Sequence, residues 1–243
     1  LQIGNGQVIS DKTKQKTVCD FRTQDVDFGG QGAPLVPIGD ELLFRNYDAC
    51  LNLGGFANVS FKVEKTRVAF DICPVNIVLN YYVNKLGFDY DNKGEIAATG
   101  QINNDLLEEL NALEFYQKKS PKSLGLEWVQ KHIYPMIDYH DLKTEDVLRT
   151  FVEHVAIQIA KSVGNKKNIF ITGGGVFNSF LIERIKEHSI AEIIVPNSEI
   201  INYKEALIFA FLGLLRVDNQ VNCLKSVTGA NKDHSSGKIF TPK

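Results

Sequence analysis

The sequence predicts an α/β fold in which a mixed sheet is covered by helices. Three observations lead there. Hydrophobic residues make up 44% of 243 residues, enough to build a sizeable core. The stretch DACLNLGGFANVSFKVEKTRVAFDI sets strand-like runs in quick succession, with only GGF and a charged EKT between them, which is the spacing of an antiparallel meander. After it the hydrophobic period lengthens to that of a helix, and strands then alternate with helices.

In chain order, residues 1–9 and 15–20 read as short strands. The glycine-rich GGQGAP (29–34) suits neither a helix nor a regular strand. The meander strands are Ala49–Leu53, Ala57–Val63 and Arg67–Asp71. In Val75–Leu86 the residues Ile77, Val78, Tyr81, Tyr82 and Leu86 share one helical face, and Gly87 ends the helix. Asn103–Leu113 is a shorter amphipathic helix, and Phe115–His140 an irregular insert around a helix at Glu127–Ile133. Thr144 opens a long helix with TEDV as a near capping box, running to Val163 where Gly164 stops it. NIFIT (Asn168–Thr172) is a short buried strand, GGG follows, and Ser179–Glu187 is a helix. AEIIVP is a strand stopped by Pro196. Lys204–Val217 is apolar nearly all round, which predicts a buried helix.

A net charge of −2 and no block of like charge argue against nucleic acid as a partner. No apolar run reaches the ~18 residues of a membrane span. The start, LQIGNGQVIS, has no signal-peptide pattern and reads as the middle of a longer protein. Cys19, Cys50, Cys73 and Cys223 are scattered without a CxxC pair, so no metal site is predicted. Two of them lie in apolar contexts and read as small buried hydrophobes, in keeping with a reduced, cytoplasmic chain. His132, His140, His154, His188 and His234 lack ligand spacing and read as structural or surface residues.

Candidate chemistry gathers at glycine-rich turns that each follow a strand: GGQGAP (29–34), NLGGFAN (52–58) and ITGGGVFN (171–178). Such turns let a ligand approach backbone N–H groups. With no GxxxxGK[ST] and no GxGxxG, they point to a nucleotide site of another design. Asp25 can act as a general base toward water or a hydroxyl. Asp20 and Asp25 can equally cap turns or pair with Arg22, and spacing alone favours that. Asp71, at a strand end in FDICPVN, can organise a hydrated metal or cap the helix that follows. Lys122 in SPKSLG is expected to be exposed.

Taken together, these segments resemble the anhydro-N-acetylmuramic acid kinases. DFRTQDVDFGGQGAPLVP is similar to the family's DFRxxDxxxGGQGAPLVP, and NLGGFANVSF to its NIGGIANIT. SPKSLG resembles PPKSTG, ITGGGVFNSFLIERI resembles TGGGAxNxxLxxRL, KEALIFAFLG resembles EAxAFAxLA, and SVTGA matches a VTGA near the C-terminus. The match covers most of the chain, with the motifs in the family's order.

The resemblance implies a ribonuclease-H-like, actin-like ATPase fold of two halves with ATP in the cleft. Residues 1–46 would end the first half and carry the active-site loop; 47–243 would form the second, with an insert near 90–140. The implied reaction uses ATP and Mg2+ to open the 1,6-anhydro ring of the amino sugar with water and phosphorylate O6, a step of cell-wall recycling. Asp25 would be the catalytic base. Asp20, Arg22, Gln31, Gly32, Asp71, Asn76 and Glu205 would meet or orient the sugar, Glu205 facing the cleft from a buried helix. Gly54, Gly55, Asn58, Gly173, Gly174, Gly175 and Asn178 would hold the nucleotide. No metal ligand is assigned. Partners would be the sugar and ATP, with no nucleic acid and no membrane, and exposed aromatics in the insert suggest a homodimer.

Two departures stand out. The family's GTSxDGxD phosphate loop is absent, so the chain reads as a C-terminal piece. FDICPVN stands where the family commonly has FDTGPGN: Asp71, Pro74 and Asn76 are kept, while Ile72, Cys73 and Val75 replace a hydroxyl and two glycines. Those exchanges leave open a non-catalytic ATP-binding module of the same fold, or a kinase for another amino sugar.

Overall fold

The structure is a computed structural model that describes residues 4–243; residues 1–3 lie outside the described residues. Its elements are, in order, α1 (Gly6–Thr13), β1 (Thr17–Cys19), α2 (Thr23–Asp27), α3 (Pro37–Leu43), β2 (Ala49–Leu53), β3 (Phe56–Val63), β4 (Thr66–Pro74) and α4 (Asn76–Asn84). The insert holds α5 (Glu95–Thr99), α6 (Asn104–Ala112), α7 (Glu114–Gln117), α8 (Leu126–His132) and α9 (Tyr134–Tyr139). Then follow α10 (Thr144–Val163), β5 (Asn168–Thr172), α11 (Ser179–His188), β6 (Glu192–Ile194), α12 (Ser198–Val217), α13 (Lys225–Thr228) and β7 (Lys238–Phe240).

The chain divides into two compact units. One comprises Leu1–Arg45, Lys62–Val68 and Tyr203–Lys243; the other comprises Asn46–Phe61 and Ala69–Asn202. Strands β3 and β4 and helix α12 contribute residues to both.

The expected mixed sheet is present, with strand order β4-β3-β2-β5-β6. β2 pairs antiparallel with β3 and parallel with β5, and β5 is parallel to β6. β2 is central, which is why ACLNL reads as an almost unbroken apolar run: Leu51 and Leu53 are wholly buried. In the second unit these residues share one core with Val78 and Leu79 of α4, Phe151 and Val155 of α10, and Leu181 and Ile185 of α11. α10 packs on α4, α5, α6 and α11. Its His154 is buried, with Nδ1 2.9 Å from Asn111 Oδ1 and Nε2 3.0 Å from the Tyr116 hydroxyl. Burial, and less so Lys161, pushes this imidazole down to about 3. Beside it, Glu153 accepts from Arg149 and Arg184 and meets His188.

The first unit has a smaller core, Phe21, Leu35, Ile38, Ile208, Leu212, Leu215 and Cys223. β1 pairs antiparallel with β7, and a Cβ at Gly6 would stand 2.4 Å from the Phe240 ring, so α1 closes on β7 only through a glycine. The buried carboxylate of Asp40 (α3) meets Lys204 (α12) at 2.7 Å, with Arg67 beside it.

Three expectations change. The strand read over residues 1–9 is instead α1 from Gly6 onward, because the Asn5 side chain accepts the N–H groups of Gln7 and Val8 and starts a helix. TEDV is not a capping box: Lys143 is the N-cap, no side chain caps α10, and Asp146 instead accepts the Gln101 N–H. α12 is longer than expected and half-exposed: Lys204, Ile208, Leu212 and Leu215 form its buried stripe while Tyr203, Leu207 and Leu214 face outward.

Candidate active site

The first unit folds its functional residues around Asp25, which is 0% exposed in the short helix α2. The backbone N–H of Gly32 donates to Asp25 Oδ2 at 2.8 Å, and the Thr228 hydroxyl donates to Oδ1 at 2.7 Å. The Gln31 N–H donates to the Thr228 carbonyl, tying the glycine loop to the end of α13. A Cβ on Gly30 would lie 2.2 Å from Asp25 Oδ2, which accounts for a glycine there: the backbone runs against the carboxylate. Gly29 and Gly32 have φ of +82° and +69°, a left-handed bend that side chains resist.

Asp20 and Arg22 do not touch this carboxylate. Asp20 caps α2, accepting the Thr23 N–H and hydroxyl, and pairs with Lys238 at 2.7 Å; Lys238 and then Thr23 hold its carboxyl below the usual range. Arg22 donates from Nη1 to the Gly32 carbonyl, so it braces the loop residue whose N–H reaches Asp25. Gln31 and Glu205 are exposed.

His234, read as structural or surface, lies beside Asp25. It is buried, with Nε2 3.5 Å from Asp25 Oδ1 and Nδ1 3.1 Å from the Lys232 carbonyl oxygen. Cys223 completes the group: the Sγ, the Asp25 carboxylate oxygen and a His234 nitrogen all lie within 4.8 Å of one another. Burial, and then the charge of Asp25, push the Cys223 thiol up to about 12. Spacing of 198 to 209 positions along the chain hides this grouping from the sequence; the SVTGA match, which contains Thr228, was the one signal that the C-terminal segment belongs with Asp25.

The second unit brings two glycine turns together. β2 and β5 are parallel neighbours, with Asn52 opposite Thr172, and each runs straight into its glycine turn at the same end of the sheet. Carboxyl ends of parallel strands are where open α/β sheets bind ligands. Gly173 (φ +92°) packs so closely that a Cβ would lie 2.6 Å from Asn52 Oδ1 and 2.7 Å from the Leu53 carbonyl. A Cβ on Gly175 would press on Leu53 and come 3.5 Å from Asn76 Nδ2. The carbonyls of Gly54 and Gly55 accept N–H groups of Asn76, Val75 and Ile77, docking the first turn on the start of α4. Gly174 is different: nothing lies within 4 Å of a Cβ there, so its backbone faces open space.

Asn58 is exposed opposite Asn52 in β3. Asn178 is buried and caps α11, accepting the Leu181 N–H, and a Cβ on Gly94 would collide with its Oδ1. Asp71 accepts the Leu124 N–H at 2.8 Å and its own N–H donates to Lys122, joining FDICPVN to SPKSLG. Burial pushes the Asp71 carboxyl up against that hydrogen bond. Lys122, expected exposed, is half-buried 4.6 Å over the Phe115 ring, and burial pulls its ammonium down. Ile72, Cys73 and Val75, the residues that depart from FDTGPGN, are buried in the second unit's core.

Among the described residues no helix is long and apolar enough to cross a membrane. The family model described as anhydro-N-acetylmuramic acid kinase matches residues 1–242. A curated anhydro-N-acetylmuramic acid kinase of Sulfurovum sp. is 34% identical over 99% of this chain and 69% of its own length. That of Saccharophagus degradans is 35% identical over 100% of this chain and 69% of its own length. The relative from Haemophilus influenzae, of the same description, is 34% identical over 99% of this chain and 69% of its own.

Proposed function

The chain belongs to the anhydro-N-acetylmuramic acid kinase family, and from that premise we propose how its own residues carry the reaction. The enzyme takes 1,6-anhydro-N-acetylmuramic acid, water and ATP to N-acetylmuramic acid 6-phosphate and ADP. A water oxygen bonds to C1, the C1–O6 bond breaks with its electron pair left on O6, and O6 displaces ADP from the γ-phosphorus. The proton that water loses goes to Asp25, the general base.

The observation that carries this role is the hold on the Asp25 carboxylate. It is removed from solvent yet fixed by the Gly32 N–H and the Thr228 hydroxyl, one on each oxygen. A buried carboxylate is costly unless such donors satisfy it. Each oxygen keeps a lone pair for an incoming proton. Asp25 is wholly covered, so water reaches it only in a conformation that uncovers the carboxylate.

Arg22 and Asp20 act as positioning residues through the loop and through α2. In the first unit Gln31 and Glu205 are the exposed polar candidates for the sugar, with Gly32 acting through its bond to Asp25, and Asp71 and Asn76 are the second unit's polar candidates. Gly54, Gly55, Asn58 and Gly173–Gly175 cradle the phosphates of ATP, and Asn178 shapes that turn through the α11 cap. The donors at these turns are amides and backbone, which suits Mg2+ arriving with ATP and bound largely by phosphate and water, with Asn52 and Asn76 placed to hold its waters. When bound, Mg2+ would supply positive charge toward the transferring phosphoryl group. Four free cysteines fit a reducing cytoplasm.

The test is coupled ATP consumption with 1,6-anhydro-N-acetylmuramic acid in 18O-labelled water, using the protein and its Asp25→Asn variant. One 18O in the sugar at C1 and a loss of roughly 10²–10⁴-fold in the variant are expected. Sugar-dependent turnover retained by Asp25→Asn would overturn the assignment of the base.

A further inference from the structure

We propose that Asp25, His234 and Cys223 form a binding site for a thiophilic divalent cation, Zn2+ in particular. The binding itself is independent of the kinase reading; its effect on turnover rests on that reading. The argument starts from the two nitrogens of His234. A backbone carbonyl only accepts, so Nδ1, 3.1 Å from the Lys232 oxygen, carries a proton, which leaves Nε2 as the nitrogen that can offer a lone pair to a cation. An N–H···O=C bond from the far nitrogen is the usual support of a metal-binding histidine. The ring is 5% exposed, lies edge-on to Phe28 at 4.9 Å, and its Nε2 has no hydrogen-bond partner among the described residues.

Distance decides between a hydrogen bond and a coordination edge. Nε2 and Asp25 Oδ1 stand 3.5 Å apart. A charge-assisted N–H···O bond would be about 2.7–2.9 Å. Two ligands at zinc bond lengths on a tetrahedron are about 3.4 Å apart. The third atom, Cys223 Sγ, lies within 4.8 Å of both, so a shift of the sulfur by about an ångström completes three corners. One carboxylate, one imidazole and one thiol select zinc over magnesium, which prefers six oxygens. Coordination requires the thiolate, and a bound cation stabilises that form. An ion here takes one carboxylate oxygen and sets positive charge on the group that must accept the proton from water, so it would hold the kinase inactive.

The test titrates the reduced, chelator-stripped protein with Co2+ as a spectroscopic probe and Zn2+ as competitor, in excess Mg2+. One Co2+ per chain is expected, with a thiolate-to-cobalt charge-transfer band that Zn2+ abolishes. Cys223→Ser should remove the band, and His234→Gln should weaken binding at least tenfold, with circular dichroism and Tm checking that both variants fold. No stoichiometric uptake, or a band that survives Cys223→Ser, would overturn the site. Zn2+ should also inhibit turnover, and Cys223→Ser should relieve this relative to its own metal-free rate. Binding without inhibition keeps the site and removes Asp25 from the role of base.

Discussion

The hydroxyl of Thr228 donates a 2.7 Å hydrogen bond to Asp25 Oδ1 from 203 residues further along the chain. That bond ties the short helix α13 to the carboxylate proposed as the base. Thr228→Val keeps the shape and removes the donor. The expected result is a stability loss of about 1.5–3 kcal/mol, the worth of a hydrogen bond to a charged group. kcat should fall by tenfold or more with KM for ATP unchanged. Urea unfolding and steady-state kinetics measure both; an unchanged kcat would detach Thr228 from the reaction.

Gly30 carries the second prediction. An alanine methyl there would stand 2.2 Å from Asp25 Oδ2, so either the carboxylate or the loop must move. Gly30→Ala should lower kcat by about two orders of magnitude, as small misplacements of reacting groups do. Gly29→Ala is the control: its methyl meets nothing, and its cost is the about 1–2 kcal/mol of a left-handed φ. If both variants lose activity equally, backbone strain and not contact with Asp25 is the cause.

Gly173 and Gly174 separate stability from nucleotide binding. Gly173→Ala combines φ +92° with contacts of 2.6 Å to Asn52 and 2.7 Å to Leu53, so a clear loss of Tm is expected. Gly174→Ala has open space around its methyl and should leave Tm unchanged. If phosphates lie against that backbone, the methyl occupies their place and KM for ATP rises at least tenfold. A Gly174→Ala enzyme with normal ATP affinity would move the phosphates elsewhere.

What could be read in advance follows the reach of each interaction. Thr144–Val163, Asn168–Thr172 and Ala49–Leu53 are fixed by local periodicity and by glycines beyond their ends, and each has the bounds expected of it. α1 was missed because its start depends on one Asn5 cap, which competes with the alternation of a strand. α12 misled because Tyr203, Leu207 and Leu214 count as core by composition, while the buried stripe includes a lysine paired with Asp40. The loop that carries Asp25 was legible as a motif through the long DFR…GGQGAP signature. Thr228, His234 and Cys223 around it were not, because their grouping arises only when the chain ends fold together.

The second unit stores a pH dependence in two adjacent residues of α10. Burial alone would push the Glu153 carboxyl up, but hydrogen bonds from Arg184, Arg149 and His188 outweigh it and hold the group at about 2 against the usual 4.5. Its stabilisation, on the order of 3 kcal/mol, is present above pH 4.5 and is lost as pH falls toward 2. His154 is likewise lowered, from 6.5 to about 3. Below pH 6.5 the unfolded chain takes up a proton at His154 that the folded chain refuses, so this contribution declines from pH 6.5 down to 3. Of these two residues, only His154 titrates differently on unfolding between pH 6.5 and 4.5. Urea midpoints measured across that range should decline for the native protein and level off for His154→Gln, which can still meet Asn111 and Tyr116. Below pH 4.5 both proteins should weaken as Glu153 is protonated on unfolding; Glu153→Gln should make that lower limb shallower, leaving the His154 share down to pH 3, and leave the slope above pH 4.5 unchanged. A slope between pH 6.5 and 4.5 that survives His154→Gln would place the acid sensitivity outside α10.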